Sequence, residues 1–191
     1  MEHTGEKMGR IHRAMILALA AIAVLGLTVK PVHAASAAKI DKEVTAALKK
    51  LYAVNRTAKL IGENAKAALV FPSIWKAGFI VGGQGGNGAL RKGGKSIGYY
   101  NSAAASYGLQ AGVQAFGYAL FLMTDRALEY LYESDGWELG VGPTIVVVNA
   151  GAAKNLTTTT LNDDVYAFTF DQTGLMAGLA IEGAKISQID R

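Results

Sequence analysis

The sequence predicts an α+β protein: an N-terminal amphipathic helix or helix pair packed on a mostly antiparallel, strongly bent or barrel-like sheet with one short inserted helix. Three observations predict it. Ile40, Val44, Ala47, Leu48 and Leu51 recur at three- and four-residue spacing, the period of a helix with one apolar face. From Val70 onward the pattern changes to short apolar and alternating runs bounded by turn residues, as strands require. Twelve of the 23 glycines fall between Phe71 and Tyr118, a density that specifies tight turns and bulges rather than long helices. Helix first and strands afterwards, with no β-α-β alternation, is the α+β order.

Residues 1–34 are expected to be a secretory signal peptide. Lys7, Arg10 and Arg13 form a positive n-region, Ala14–Val29 is nearly all apolar, and Val32-His33-Ala34 offers a small residue for cleavage. A retained membrane anchor is the competing reading, but the apolar run is shorter than the ~20 residues of a spanning helix and Pro31 follows at once. No cysteine follows the run to carry a lipid, and Arg10 and Arg13 are not adjacent, so a Sec-type signal is expected. Export to the periplasm or the extracellular space follows, with peripheral membrane association. The remainder, 35–191, is one domain's worth of chain.

Ser36–Val54 reads as the amphipathic helix, with Lys42, Lys49 and Arg56 opposite the stripe and Lys39 and Lys50 flanking it. Thr57–Leu69 continues with helical composition after a break at Asn55. Ala77–Val81 is expected as a short strand, with the glycines of Gly82–Gly88 as a turn. Ala89–Arg91 and Ser96–Tyr100 flank Lys92-Gly93-Gly94-Lys95, a hairpin turn. Leu109–Met123 reads as a strand, and Thr124-Asp125 caps a short helix, Arg126–Glu133. Trp137–Val148, Val165–Phe170 and Gly174–Ile181 complete the strands, with Thr157–Thr160 in a loop or an edge strand.

Composition narrows the chemistry. The chain has no cysteine, and its three histidines (His3, His12 and His33) all lie in the expected signal. The exported domain therefore lacks the usual ligands for zinc, copper and haem, the commonest general base, and any Ser-His or Cys-His pair. No catalytic residue, metal or cofactor is expected, and no nucleic-acid partner. Charge is uneven: Ala35–Tyr100 holds eleven Lys/Arg against three acids, and Asn101–Arg191 holds four against ten. Either the folded molecule has a basic side suited to anionic partners, or the halves interleave and the charges mix.

Two phosphate motifs fail on context. Gly83-Gln84-Gly85-Gly86-Asn87-Gly88 satisfies G-x-G-x-x-G, yet Ala89–Gly94 behind it is no helix, and no acid about twenty positions on would hold a ribose. Gly94-Lys95-Ser96 resembles the end of a phosphate loop, but the required earlier glycine is Ala89. The pairs Asp163-Asp164 and Glu129/Glu133 read as solvated surface.

Read together, Ala67–Ser73, Lys76–Gly83, Gly88-Ala89-Leu90, Gly98-Tyr99-Tyr100, Ser106–Gly112, Met123–Leu128, Trp137–Gly142 and Gly174–Leu179 resemble the SYLF domain family, in the family's order over nearly all of 35–191. The resemblance implies a lipid-binding domain. Eukaryotic relatives are associated with phosphoinositide membranes, some yeast members with actin filaments, and bacterial relatives are typically exported. No SH3 or FYVE-type companion is present, so adaptor roles do not transfer.

The residues themselves suggest how a lipid would be held. Lys76, Arg91, Lys92 and Lys95 are expected to cluster at glycine turns, where backbone N–H groups help hold a phosphate of an anionic phospholipid. The helix stripe Ile40, Val44, Leu48 and Leu51, with Lys49 and Lys50, has two readings: packing on the sheet, which is favoured, or facing a membrane. The alternative function is a protein–protein interaction or scaffold module of the envelope, its partner unidentified, using sheet edges or aromatics such as Trp75 and Tyr99.

Overall fold

Ser36 starts the first helix by accepting a hydrogen bond from the Lys39 N–H at 3.3 Å, satisfying one of the free donors of a helix N-terminus. The computed structural model describes residues 36–78, 81–107, 112–134, 136–148, 161–174 and 183–191. The expected signal peptide, the Thr157–Thr160 run and most of the Gly174–Ile181 strand lie outside them. Helix α1 is Ala37–Val54 and α2 is Arg56–Asn64. Asn55 ends the first, its N–H donating to the Leu51 carbonyl at 2.8 Å, and caps the second by accepting from the Ala58 N–H at 2.9 Å.

The strands are β1 (Ala67–Gly78), β2 (Val81–Lys92), β3 (Lys95–Tyr107) and β4 (Gly112–Leu122). After the helix α3 (Asp125–Glu133) come β5 (Trp137–Glu138), β6 (Ile145–Val147), β7 (Val165–Gly174) and β8 (Lys185–Ile189). Together the eight described strands form one strongly curled, half-barrel sheet in the order β5-β8-β3-β2-β1-β4-β7-β6. All pairs are antiparallel except β6–β7. The architecture is the α+β arrangement of helices followed by a mostly antiparallel sheet that the sequence predicts.

Each face of the sheet has its own core. Ile40, Val44, Ala47 and Leu51 of α1, with Ala58 and Ile61 of α2, pack on Ala68, Val70, Ala89, Phe121 and Phe168. The opposite face holds Leu69, Phe71, Leu90, Tyr118 and Leu120 under α3 and Trp137. Strand alternation accounts for this directly, because neighbours in β1 such as Leu69 and Val70 point to opposite faces and both are fully buried. The helix stripe therefore packs on the sheet. Ile40, Val44 and Leu51 are at most 3 % exposed, so they present no membrane-facing surface.

Several boundaries differ from the sequence reading. The second helix stops at Asn64, and Ala67–Leu69 already belong to β1; alanine favours a helix, but here the pairing of Ala67 and Ala68 with Leu122 and Phe121 decides. Trp137–Val148 is two short strands separated by turns, because Gly140 (φ 107°) and Gly142 (φ 94°) take a left-handed backbone.

The largest correction concerns Gly82–Gly88, which is strand β2 rather than a turn. Its neighbour β1 carries a bulge around Pro72, where the register with β4 shifts between Phe71 and Ile74. The displaced carbonyls of Val70 and Ser73 lie where side chains at Gly88 and Gly86 would begin. These two glycines are required by close backbone approach, so the G-x-G-x-x-G string is a packing feature of a strand.

Candidate functional site

The turn Lys92-Gly93-Gly94-Lys95 joins β2 to β3, as the sequence predicts. Gly93 (φ 57°) and Gly94 (φ 79°) both have positive φ, the requirement of a type I′ hairpin turn. Between this turn and the helices lies a pocket of about 230 Å³. Leu48, Tyr52 and Ala65 supply an apolar wall, while Lys66, Arg91, Lys92 and the backbone of Gly93-Gly94 line its other side.

Hydrogen bonds fix the basic side. Arg91 donates from Nη1 to Ser96 Oγ at 3.2 Å and from Nη2 to the Gly94 carbonyl. Ser96 and Tyr99 donate in turn to the two carboxylate oxygens of Asp41 on α1. Burial, then the Asp41 carboxylate, pushes the Tyr99 hydroxyl above its ordinary pKa. Arg91 is thus a brace that ties the turn to itself and, through Ser96, to the first helix. Its Nε–H is buried with no hydrogen-bond acceptor. Lys66 lines the same pocket and is paired to Asp125 at 2.9 Å, with both side chains exposed.

The four cations singled out in the sequence do not all meet. Arg91 and Lys92 line the pocket, and Lys95 is exposed at the same turn. Lys76 is elsewhere: it is in β1, only 7 % exposed, facing Gln84 and Gln114. Arg91 pairs with Ala68, eight residues along β1 from Lys76, which is roughly 25 Å of strand. Their predicted clustering is therefore corrected, because Gly82–Gly88 is part of strand β2 rather than a turn, which leaves Lys76 and the Lys92–Lys95 turn at opposite ends of paired strands. Leu48 of the helix stripe does reach the pocket, while Lys49 and Lys50 are exposed. Lys66 was missed by the sequence reading. Its only sequence signal is its position in the short link between α2 and β1.

A second constellation was read as solvated and is not. Asp164 is 8 % exposed. It accepts from Thr124 Oγ1 at 2.8 Å, from Arg126, and from both the backbone and the hydroxyl of Thr144 at 3.0 Å. The hydrogen bond from Arg126 is the largest cause holding its carboxyl far below the ordinary carboxylate range. Thr124 also caps α3 by accepting from the Ala127 N–H. The Met123-Thr124-Asp125-Arg126 string is thus a structural clamp, and Glu129 and Glu133 remain exposed on α3.

The two charge halves interleave in part, since Lys50 pairs with Asp171 at 2.7 Å and Lys66 with Asp125. Among the described residues, no helix is long and apolar enough to cross a membrane, and no group of three or more His, Cys, Asp or Glu could hold a metal ion.

Fold and site together define a small α+β protein whose curled sheet carries α1 and α2 on one face and α3 on the other, with a basic pocket beside a glycine turn. Residues 103–191 match the family model Ysc84, described as "Las17-binding protein actin regulator", in line with the resemblance to the SYLF domain family. Among curated proteins, none matches the chain.

Proposed function

We propose that this protein is a non-catalytic lipid-binding protein of the cell envelope, exported by a signal in residues 1–34. In this reading the SYLF-like domain extends over 35–191 and takes the phosphate of an anionic phospholipid head group beside the Lys92–Lys95 turn. The family matched is associated with lipid and protein binding, which supports the class of ligand. The observation that carries the reading is the meeting of Lys66, Arg91 and Lys92 with two glycine backbones and an apolar wall in one pocket.

Magnitudes limit what the pocket does. At about 230 Å³ it is smaller than the ~300–1,000 Å³ typical of pockets for drug-sized ligands. It suits a head group, with the acyl chains left in the bilayer. A basic residue near an anionic membrane contributes about 1 kcal/mol, so Lys66, Arg91, Lys92 and Lys95 together reach about 4 kcal/mol, near millimolar affinity. Direct hydrogen bonds from Lys66, Lys92 and the turn's backbone N–H groups must supply the rest.

Co-sedimentation with vesicles tests this. Wild-type protein should pellet with phosphatidylglycerol-containing vesicles, not with neutral phosphatidylcholine, and less as salt rises. Charge reversal of Lys66, Lys92 and Lys95 should abolish capture with little change in melting temperature; Arg91 is kept because it braces the turn. Undiminished capture by that variant would overturn the proposal.

A second reading, a protein-docking module, is favoured by one feature. Trp75 and Val113 are 62 % and 57 % exposed on the face of the sheet that carries α1 and α2. Such a module would bind its partner regardless of vesicle charge and would lose it on Trp75→Ser. Tyr99, the other aromatic considered, is half-buried and bonded to Asp41.

A further inference from the structure

Lys76 lies near the C-terminal end of β1, on the face opposite α1 and α2. Its cross-strand neighbours are Gln84 on β2 and Gln114 on β4, so the three side chains form a row across three adjacent strands. The row continues the face that carries Ile74 and Phe116, which are opposite one another and at most 2 % exposed. Lys76 and Gln114 are themselves only 7 % and 4 % exposed. No salt bridge to Lys76 occurs among the described residues, and the Gln114 Oε1 is buried with no hydrogen-bond partner.

A carboxamide oxygen buried without a donor is costly, and beside it stands a lysine with no ion-pair partner among the described residues; a ligand that donates to the first and neutralises the second meets both demands. The protein does meet such demands elsewhere on the same face, where the buried Tyr118 hydroxyl donates to Ser102 Oγ at 2.6 Å. At Gln114 Oε1 it does not. A ligand completing the pair needs an anionic oxygen for the ammonium and a hydrogen for the carboxamide oxygen. A carboxylate has only acceptors. A singly protonated phosphate has both, through its P–O⁻ and P–OH groups.

We propose that Lys76 and Gln114, flanked by Gln84, form a second binding site that takes a small phosphate: inorganic phosphate or the terminal group of a phosphate monoester. The site is separate from the pocket at the Lys92–Lys95 turn, on the other face and toward the other end of β1, and does not depend on that pocket binding lipid.

Isothermal titration of the full chain in phosphate-free buffer tests this, with three probes: inorganic phosphate, sulfate, and dihexanoyl phosphatidic acid as a soluble lipid. Phosphate should bind wild type. Lys76→Met should weaken it at least tenfold, and Lys92→Ala should leave it unchanged. Gln114→Leu should weaken phosphate severalfold and leave sulfate alone, because sulfate is unprotonated and has nothing to donate. If Lys76→Met does not fold, the Gln114→Leu contrast carries the test. A source in lipid predicts that the soluble phosphatidic acid binds through Lys76 more tightly than phosphate; a free-phosphate source predicts the reverse order. Phosphate binding indifferent to both Lys76→Met and Gln114→Leu would overturn the site. So would a wild type that binds none of the probes.

Discussion

Asp164→Ala removes the one acceptor that joins the cap of α3 to the start of β6. Thr124 at 2.8 Å, Thr144 at 3.0 Å through two donors, and Arg126 all lose the same carboxylate. Hydrogen bonds to a charged acceptor are worth ~1.5–3 kcal/mol each when sheltered. Thr144 and Arg126 are exposed and regain water, which leaves a net loss of about 2–3 kcal/mol, dominated by the half-buried Thr124 contact. For a domain of this size that is a fall of roughly 5–10 °C in melting temperature. Circular dichroism melts from pH 7 to pH 2 would read it.

The pH dependence has a definite sign. The folded carboxyl is held below its ordinary value of 3.8, so the unfolded chain binds the proton first as pH falls. The contribution of Asp164 is therefore complete above about pH 5 and declines as pH drops below about 4. The gap between wild type and Asp164→Asn should narrow over that interval, since the amide has no proton to take up. A gap of under 2 °C at pH 7, or one that stays constant down to pH 2, would refute the clamp.

Two further perturbations probe the sheet. Gly88→Ala places a methyl against the Val70 carbonyl oxygen and 2.7 Å from Phe71 Cδ1; it should cost about 3 kcal/mol in urea unfolding, and a neutral result would mean the β1 bulge is misplaced. Ser102→Ala strands the Tyr118 hydroxyl, whose pKa burial already pushes up, and should cost about 1–3 kcal/mol; adding Tyr118→Phe should recover most of it, and a double-mutant cycle with no coupling would contradict the contact.

Much of the site was legible before the fold was known. Gly93-Gly94 between two polar ends permits little besides a two-residue hairpin turn, and the turn carried Arg91, Lys92 and Lys95 to one place. What could not be read was which distant side chains meet them. Lys66 and Tyr52 reach the pocket only because α1 and α2 pack across β1 and β2. Asp164 looked like half of a solvated acidic pair, since nothing local marks a carboxylate that Thr124, Arg126 and Thr144 will surround. Lys76 shows the converse: its charge suggested a surface residue, and strand alternation decided otherwise.

Local pattern by itself determined the order of elements, the break at Asn55, the helix cap at Thr124, and the apolar stripe that α1 buries. These depend on side chains within a few residues of one another, where backbone geometry sets the contacts. Tertiary structure alone decided that Gly82–Gly88 is a strand, that Lys76 is enclosed, and that the basic turn faces a pocket. Those outcomes depend on pairing across the bulge in β1, and pairing between segments far apart in the chain leaves no periodic trace in either one.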